Sequence, residues 1–331
     1  MKFKYILSIF LFLSAFVFGQ STVNINKPKH VRVCEAYGFI IGQEYYLNQI
    51  KEEFPQLEID ILRTEMSFNS TFGKAKDGMS KYLNEYFGQD EFKKYENETI
   101  SEIKEILSNQ SFTEEIVKKS IDEIESRANG NIVSPILETL LSFQFADRPQ
   151  DEFISGFTTT FNTKGHSKSK FTDWQIKVPK SWKAQESDRP NIIQKFTSDY
   201  GAGHQGIMLL VKDITFSNNH KMSKEEINEI FTEKEMRDAV PDNGKFISFT
   251  KMTFDGINGG MIESEKIMER LNFKIKIRMV QFMFIHANKM YAIEGFVSSD
   301  NIDADLSLDM RKYLPLYMLI ANSIVVNDQY K

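Results

Sequence analysis

Residues 258–297 read NGGMIESEKIMERLNFKIKIRMVQFMFIHANKMYAIEGFV. Polar and apolar residues alternate here with a period of two, in three runs at about Asn258–Glu269, Asn272–His286 and Met290–Val297. Such alternation predicts strands, because successive side chains in a strand point to opposite faces of a sheet. A tight turn around Arg270-Leu271 is expected between the first two, and a turn at Asn288-Lys289 before the third. The first turn would set Glu263 opposite Arg278 and Glu265 opposite Lys276, a charge ladder worth roughly 0.2–1 kcal/mol per pair. The other face carries Phe273, Ile275, Ile277 and Met279, ready to meet a helix layer. Met279-Val280-Gln281-Phe282-Met283-Phe284-Ile285 is apolar on both faces, which reads as a central strand covered on both sides. An exposed apolar patch for a partner is the alternative.

Outward from this core the strand signal runs back to Gly156. Further strands are expected at about Lys245–Phe254, Gly206–Ile214 and Asn191–Ser198. Phe157–Asn162 and Phe171–Val178 flank the polar turn Lys164–Lys170 and read as a hairpin. One helix interrupts the strands. Ser223 and Glu226 form a capping-box pattern, Met222 and Ile227 sit where a hydrophobic staple packs, and the body continues through Ile230 and Phe231 towards Arg237. The end, about Asp303 to Ile324, reads as helix with a break or kink at Pro315.

Before Gly156 the period changes to that of a helix. Ala36, Ile40, Gln43, Leu47, Ile50 and Phe54 form one stripe, and Pro55 stops it. A second helix runs from about Leu57 to Phe87 through Phe72, Ala75, Met79 and Leu83. Ile100, Ile103 and Leu107 define a third, and Val117, Ile121, Ile124 and Ala128 a fourth that Asn129-Gly130 caps. A small bundle buries these stripes. The fold class is therefore α+β: an N-terminal α-helical bundle, then an α/β/α sandwich with a mainly antiparallel sheet.

Charge divides the chain in the same place. Residues 35–152 hold 24 Asp plus Glu against 12 Lys plus Arg, whereas residues 153–331 hold 22 against 24. The expected boundary is Asp147-Arg148-Pro149-Gln150-Asp151, where Pro149 and clustered charge discourage a continuing helix. At the N-terminus, Lys2 and Lys4, the apolar stretch Tyr5–Phe18, and Val17 and Gly19 before Gln20 have the order of a cleavable secretory signal peptide. About 14 apolar residues is short of the roughly 20 that span a bilayer. The plan is a signal peptide at 1–19, an extension at 20–34, an acidic helical domain at 35–150 and an α/β domain at 151–331. Localisation is then periplasmic or extracellular, with no stable membrane span after cleavage. With one cysteine, no intramolecular disulfide forms. Cys34 is left as a buried inert thiol beside Val33 and Ala36, or as a link between chains.

About Phe171 to Val326 the sequence resembles the PsbP-like fold of photosystem extrinsic subunits and Mog-type proteins. The resemblance is carried by Trp174-Gln175-Ile176-Lys177-Val178-Pro179-Lys180-Ser181-Trp182, by Asn191-Ile192-Ile193-Gln194-Lys195-Phe196 and by the single helix after Ser223. Asn288-Lys289-Met290-Tyr291-Ala292-Ile293 and Ala321-Asn322-Ser323-Ile324 complete it. It implies an antiparallel sheet between helices and members that mainly bind other proteins, with no catalytic motif to carry over. The helical half has no counterpart in it.

Motifs for chemistry are sparse. Gly201-Ala202-Gly203-His204-Gln205-Gly206 lacks the Lys-Ser/Thr and the following helix of a phosphate loop, and reads as a hairpin loop. His30, His166, His204, His220 and His286 are mutually distant, so no local pair has zinc-ligand spacing. Gly-x-Ser-x-Gly does not occur. Trp174 and Trp182 either line a cleft or anchor the sheet edge. Asn69-Ser70-Thr71, Asn97-Glu98-Thr99 and Asn109-Gln110-Ser111 fit glycosylation sequons, coincidences if the leader is bacterial. An acidic mature chain without a basic cluster argues against a nucleic-acid partner. The sequence names no catalytic, metal, cofactor or ligand-binding residue. Three readings follow: an exported non-catalytic protein that binds another protein, a small-molecule or peptide carrier with a cleft between the halves or under Trp182, and a divergent hydrolase.

Overall fold

The computed structural model describes residues 27–214, 222–241, 243–270 and 273–330. The leader expected at 1–19, residues 20–26 of the extension, His220 and the turn residue Leu271 lie outside the described residues. The chain divides into two compact units, one ending at Gln144 and one beginning at Phe145.

The first unit is helical. Its elements are α1 (Lys29–Glu53), α2 (Glu58–Phe87), α3 (Gln89–Ser108), α4 (Glu114–Ala128) and α5 (Ile136–Gln144). α2 packs against each of the other four. Phe72, Ala75, Met79 and Leu83 are at most 1% exposed, as their spacing requires. α1 starts at Lys29, inside the stretch read as an extension, because Val33 is fully buried and prolongs the stripe. In α3 the buried line runs through Phe92, Tyr95, Thr99, Ile103 and Leu107, with Ile100 half-buried beside it. The Asn129-Gly130 cap is present, with Gly130 at φ 84° and its N–H donating to the Arg127 carbonyl. α5 escaped the sequence reading; Leu140 and Leu141 on it are fully buried.

The second unit begins with α6 (Gln150–Ile154), so Pro149 opens a helix where it was expected only to stop one. Proline suits that place, because a first-turn N–H needs no partner. The main sheet holds β3 (Lys183–Gln185), β4 (Ile192–Thr197), β5 (Gln205–Asp213), β6 (Gly244–Phe254), β7 (Ile257–Arg270), β8 (Phe273–His286) and β9 (Lys289–Ser299). Their order is β3-β4-β5-β9-β8-β7-β6, with every neighbouring pair antiparallel. A smaller sheet pairs β1 (Thr158–Asn162) and β10 (Val325–Val326) on either side of β2 (Trp174–Pro179). β1 and β2 form the expected hairpin; the short β3 and β10 were not foreseen.

β8 is an interior strand and is buried on both faces, as its composition requires. Val280, Phe282 and Phe284 join a core with α9 (Ser307–Asn322). Met283 and Ile285 join a second core with Phe231 and Met236 of the opposite layer. That layer is two helices, α7 (Lys224–Ile230) and α8 (Glu233–Asp238), not one. The Ser223–Glu226 capping box is complete, but Thr232 caps a new helix by accepting from Glu235 N at 3.3 Å. α9 starts at Ser307 and runs unbroken past Pro315, since Met310 on one side and Leu316, Tyr317 and Ile320 on the other are all buried.

The β7–β8 register differs from expectation by two residues: Arg270 faces Phe273, so Glu265 faces Arg278 and Ile267 faces Lys276. The expected ion pairs form nonetheless, as diagonals, Arg278–Glu263 at 2.7 Å and Lys276–Glu265 at 3.3 Å. This ladder lies on the face that α9 covers further along the strands. Ile275 and Ile277, on the other face, are only half-buried. The turn before β9 is Ala287-Asn288, both with positive φ.

α9 sits on the sheet at one glycine. A Cβ on Gly295 would stand 2.6 Å from Cγ of Tyr317, whose ring is fully buried. Gly295→Ala should therefore lower stability by about 1–3 kcal/mol through overpacking; an unchanged urea midpoint would refute the contact. A second check concerns Asp255 in the β6–β7 turn, whose carboxylate accepts from Val326 N at 2.7 Å, Gln329 Nε2 at 2.6 Å and Tyr330 Oη at 2.5 Å. Burial opposes its ionisation, but these three donors outweigh burial and hold the carboxyl below its ordinary value. A depressed native value adds stability above the unfolded value, near pH 4, and loses it as pH falls through the native one. Thermal melts across that range should show a smaller acid loss for Asp255→Asn than for wild type, from a lower neutral starting point.

Candidate functional site

Among the described residues, each unit contains a concavity with converging polar groups. In the first, the groove lies between α1, α4 and residues 131–136 and encloses about 530 Å³. Phe39, Gln43 and Tyr46 follow 4-3 spacing on α1, and Ser120, Glu123 and Arg127 follow 3-4 spacing on α4, so each triplet shares one helix face. Arg127 lies on the floor, its side chain 20% exposed. Its Nη1 donates to Gln43 Oε1 at 3.1 Å, its Nη2 is 3.7 Å from Glu123 Oε2, and the guanidinium stands 5.3 Å from the Phe39 ring centre. Burial pulls Arg127 below its ordinary value while Glu123 works against that shift. Arginine stays charged regardless. Burial also pushes the Tyr46 hydroxyl up, with Ser120 pulling it back. At the rim, Lys27 pairs with Glu35 at 2.5 Å. Ile132, Val133, Pro135 and Ile136 make the third wall apolar.

In the second unit, a cavity of about 320 Å³ lies between α8 and the sheet. β7 supplies Ile262, Ser264 and Lys266, and β8 supplies Met279, Gln281, Met283 and Ile285. Alternation places each set on one face. Beside it Gln281 Nε2 donates to Glu294 Oε1 at 2.7 Å. Burial raises the Glu294 carboxyl above its ordinary value, against the pull of Gln281, Lys266 and Arg189.

The residues singled out in the sequence fall elsewhere. Trp174 and Trp182 both lie in the core beneath α9, the first edge-on to Tyr291 at 5.8 Å and the second to Tyr317 at 6.2 Å. Trp182 is buried in that core, the anchoring role of the two alternatives. Gly201–Gly206 is the β4–β5 hairpin loop, and its glycines serve close approach: a Cβ on Gly203 would meet Ser198 Oγ at 1.9 Å. His30 stacks on Tyr86 at 4.6 Å, His166 Nδ1 accepts from Lys168 N, His204 offers its carbonyl to Ser298, and His286 ends β8. Among the described residues, no three His, Cys, Asp or Glu side chains are grouped to hold a metal. Asn69 and Asn97 lie on α2 and α3, and Asn109 follows α3 directly.

Of the groove residues, the sequence marks Gln43 and Ile124, and each only as a member of its helix stripe. The Gln43 partner, Arg127, is 84 positions away, and only the bundle brings the two together.

No known protein family and no curated protein matches the sequence. Solved structures similar to the chain include cyanobacterial PsbP (CyanoP) from Synechocystis sp. PCC 6803, at 11% identity over 51% of this chain and 92% of that one, with a TM-score of 0.31. LpqN, involved in cell envelope biogenesis of Mycobacterium tuberculosis, is 9% identical over 54% and 96%, TM-score 0.32. The Saccharomyces cerevisiae Ran-binding protein Mog1p is 10% identical over 52% and 97%, TM-score 0.31. These are likenesses of fold over about half of the chain. Among the described residues, no helix is long and apolar enough to cross a membrane.

Cys34 lies on α1 and is half-buried, and Tyr95 bonds its backbone carbonyl at 3.0 Å. Burial pushes its thiol up to about 11. At pH 8 the thiolate is then about one part in a thousand. Alkylation by iodoacetamide should be slow at pH 8 and quicken about tenfold per pH unit until near that value. Modification at pH 8 as fast as that of free cysteine would contradict this.

Proposed function

We propose that this chain is an exported, non-catalytic accessory protein that holds a segment of another polypeptide in the groove of its first unit. The observation that carries the reading is Arg127 on the groove floor beside Phe39 and Tyr46. Arginine and tyrosine in a half-dry, mainly apolar recess are the residue types that supply most of the energy at protein interfaces. Gln43 and Glu123 orient the guanidinium without using all five of its N–H donors, so it can still receive a carboxylate. The apolar wall at 132–136 offers a seat for a neighbouring hydrophobic side chain. The occupant argued for is an apolar peptide segment with a carboxylate, from an acidic side chain or a chain terminus. Export accords with the order of charges and apolar residues in 1–19.

A peptide-display selection on the chain from Gln20 onward tests it. Enriched peptides should share an apolar anchor and a carboxylate, and calorimetry should show about tenfold or greater weakening in Val133→Asp and Arg127→Met. Val133 is 57% exposed, so its substitution leaves the bundle intact. Absence of a shared motif, or binding indifferent to both substitutions in chains with native circular dichroism, would overturn the proposal. A second reading, a small-molecule carrier, is favoured by the apolar cavity beneath α8.

A further inference from the structure

The cavity beneath α8 has a direction. The β7–β8 register sets Ser264 beside Met279 and Ile262 beside Gln281, with Met283 and Ile285 following along β8. Lys266 stands one step beyond Ser264 on the same face of β7, opposite Gly244 of β6. One end of the cavity therefore carries an ammonium and a hydroxyl, and the other end carries only apolar groups. Across from the sheet, Phe231, Met236 and Val240 form a wall without charge. At the Lys266 end the wall closes tightly, since a Cβ on Gly244 would meet Val240 Cγ1 at 2.9 Å.

Lys266 stands apart from the other cations of this hairpin. Lys276 and Arg278, on the opposite face, each hold a glutamate, at 3.3 and 2.7 Å. Among the described residues, no carboxylate comes within 4.0 Å of the Lys266 ammonium. The carboxylate on its own face, Glu294, is bonded to Gln281 and feels the Lys266 charge only from beyond ion-pair distance. Four methionines, Met236, Met279, Met283 and Met290, line the apolar part. Unbranched thioethers adjust their shape to whatever lies against them, and they suit a straight chain better than branched side chains would. The volume, about 320 Å³, is at the lower end of the range for small-molecule sites.

We propose that this cavity binds a straight-chain aliphatic carboxylic acid of medium length, its carboxylate at Lys266 and Ser264 and its chain along the methionines. This site is separate from the peptide groove and stands or falls without it.

Calorimetric titration of the chain from Gln20 onward with decanoate, decanol and decylamine at neutral pH is the test. Decanoate should bind at one site per chain, about tenfold or more tighter than decanol, with decylamine weakest. Lys266→Met should reduce decanoate to the level of decanol and leave decanol unchanged. Met283→Trp, which fills the apolar end, should abolish binding of both. Should that variant fail to fold, Val240→Trp fills the cavity from the helix side, and thermal melts identify the folded proteins. Val133→Asp, in the groove of the first unit, should leave decanoate binding as it was. Decylamine binding as tightly as decanoate, decanoate binding indifferent to Lys266→Met, or no saturable binding would each overturn the proposal.

Discussion

The contact between Tyr317 and Gly295 governs the second unit. Where the ring of α9 rests on β9 there is no room for a single carbon more. The Tyr317 hydroxyl donates to the Phe296 carbonyl at 2.5 Å, which pins the helix to the strand it covers. Full burial pushes that hydroxyl well above its ordinary value. Trp182 packs edge-on to Tyr317, and Phe284 stacks on Tyr291 at 4.7 Å further along. The side chains on this face are buried and packed together. Among the described residues, the helices on the opposite face of the same strands are α7 and α8, of seven and six residues against sixteen in α9. Short helices cover less area than the strands expose, and the cavity is the part left over. It arises from unequal layers, not from a packing fault.

How much of this the sequence disclosed depended on whether the signal was local. The two-residue beat of β8 and the helical stripes before Gly156 lie within single elements, and both halves followed them. The charge ladder was a partial success. Its ion pairs were right and its register was wrong by two residues, an error that alternation forgives because a two-residue slip keeps every side chain on its face. Diagonal neighbours are within reach of long side chains, so Glu263 still finds Arg278.

Other signals are local to the sequence as well. Thr232 with Glu235 three residues on repeats the capping-box spacing already recognised at Ser223, and it marks the break between α7 and α8. Asp255-Gly256 is the dipeptide that a tight hairpin favours; both residues have positive φ there, and β6 turns directly into β7. The groove and the cavity are a different matter. Gln43 interrupts an otherwise apolar stripe, which hints at a buried polar partner, but nothing near it in sequence says that the partner is Arg127. Lys266 lies among alternating charges and reads as one more solvated lysine until the strands are paired.

The two concavities differ in the cation each presents, and the difference limits what each can hold. Arg127 is largely desolvated, and its guanidinium is met by Gln43, Glu123 and the face of Phe39. Its planar fork suits a carboxylate that approaches in the plane of the guanidinium. Lys266 is partly exposed at the end of an apolar slot, and its ammonium is a point charge without a preferred plane. A head group there is selected by sign more than by shape, and the discrimination among ligands must come from the chain that follows it. In an apolar slot of fixed volume that discrimination is steric as well as hydrophobic: each added methylene gains about 0.8 kcal/mol while space remains and costs free energy once it does not. The size of the space that α8 leaves above β8 thus decides which chain length fits best.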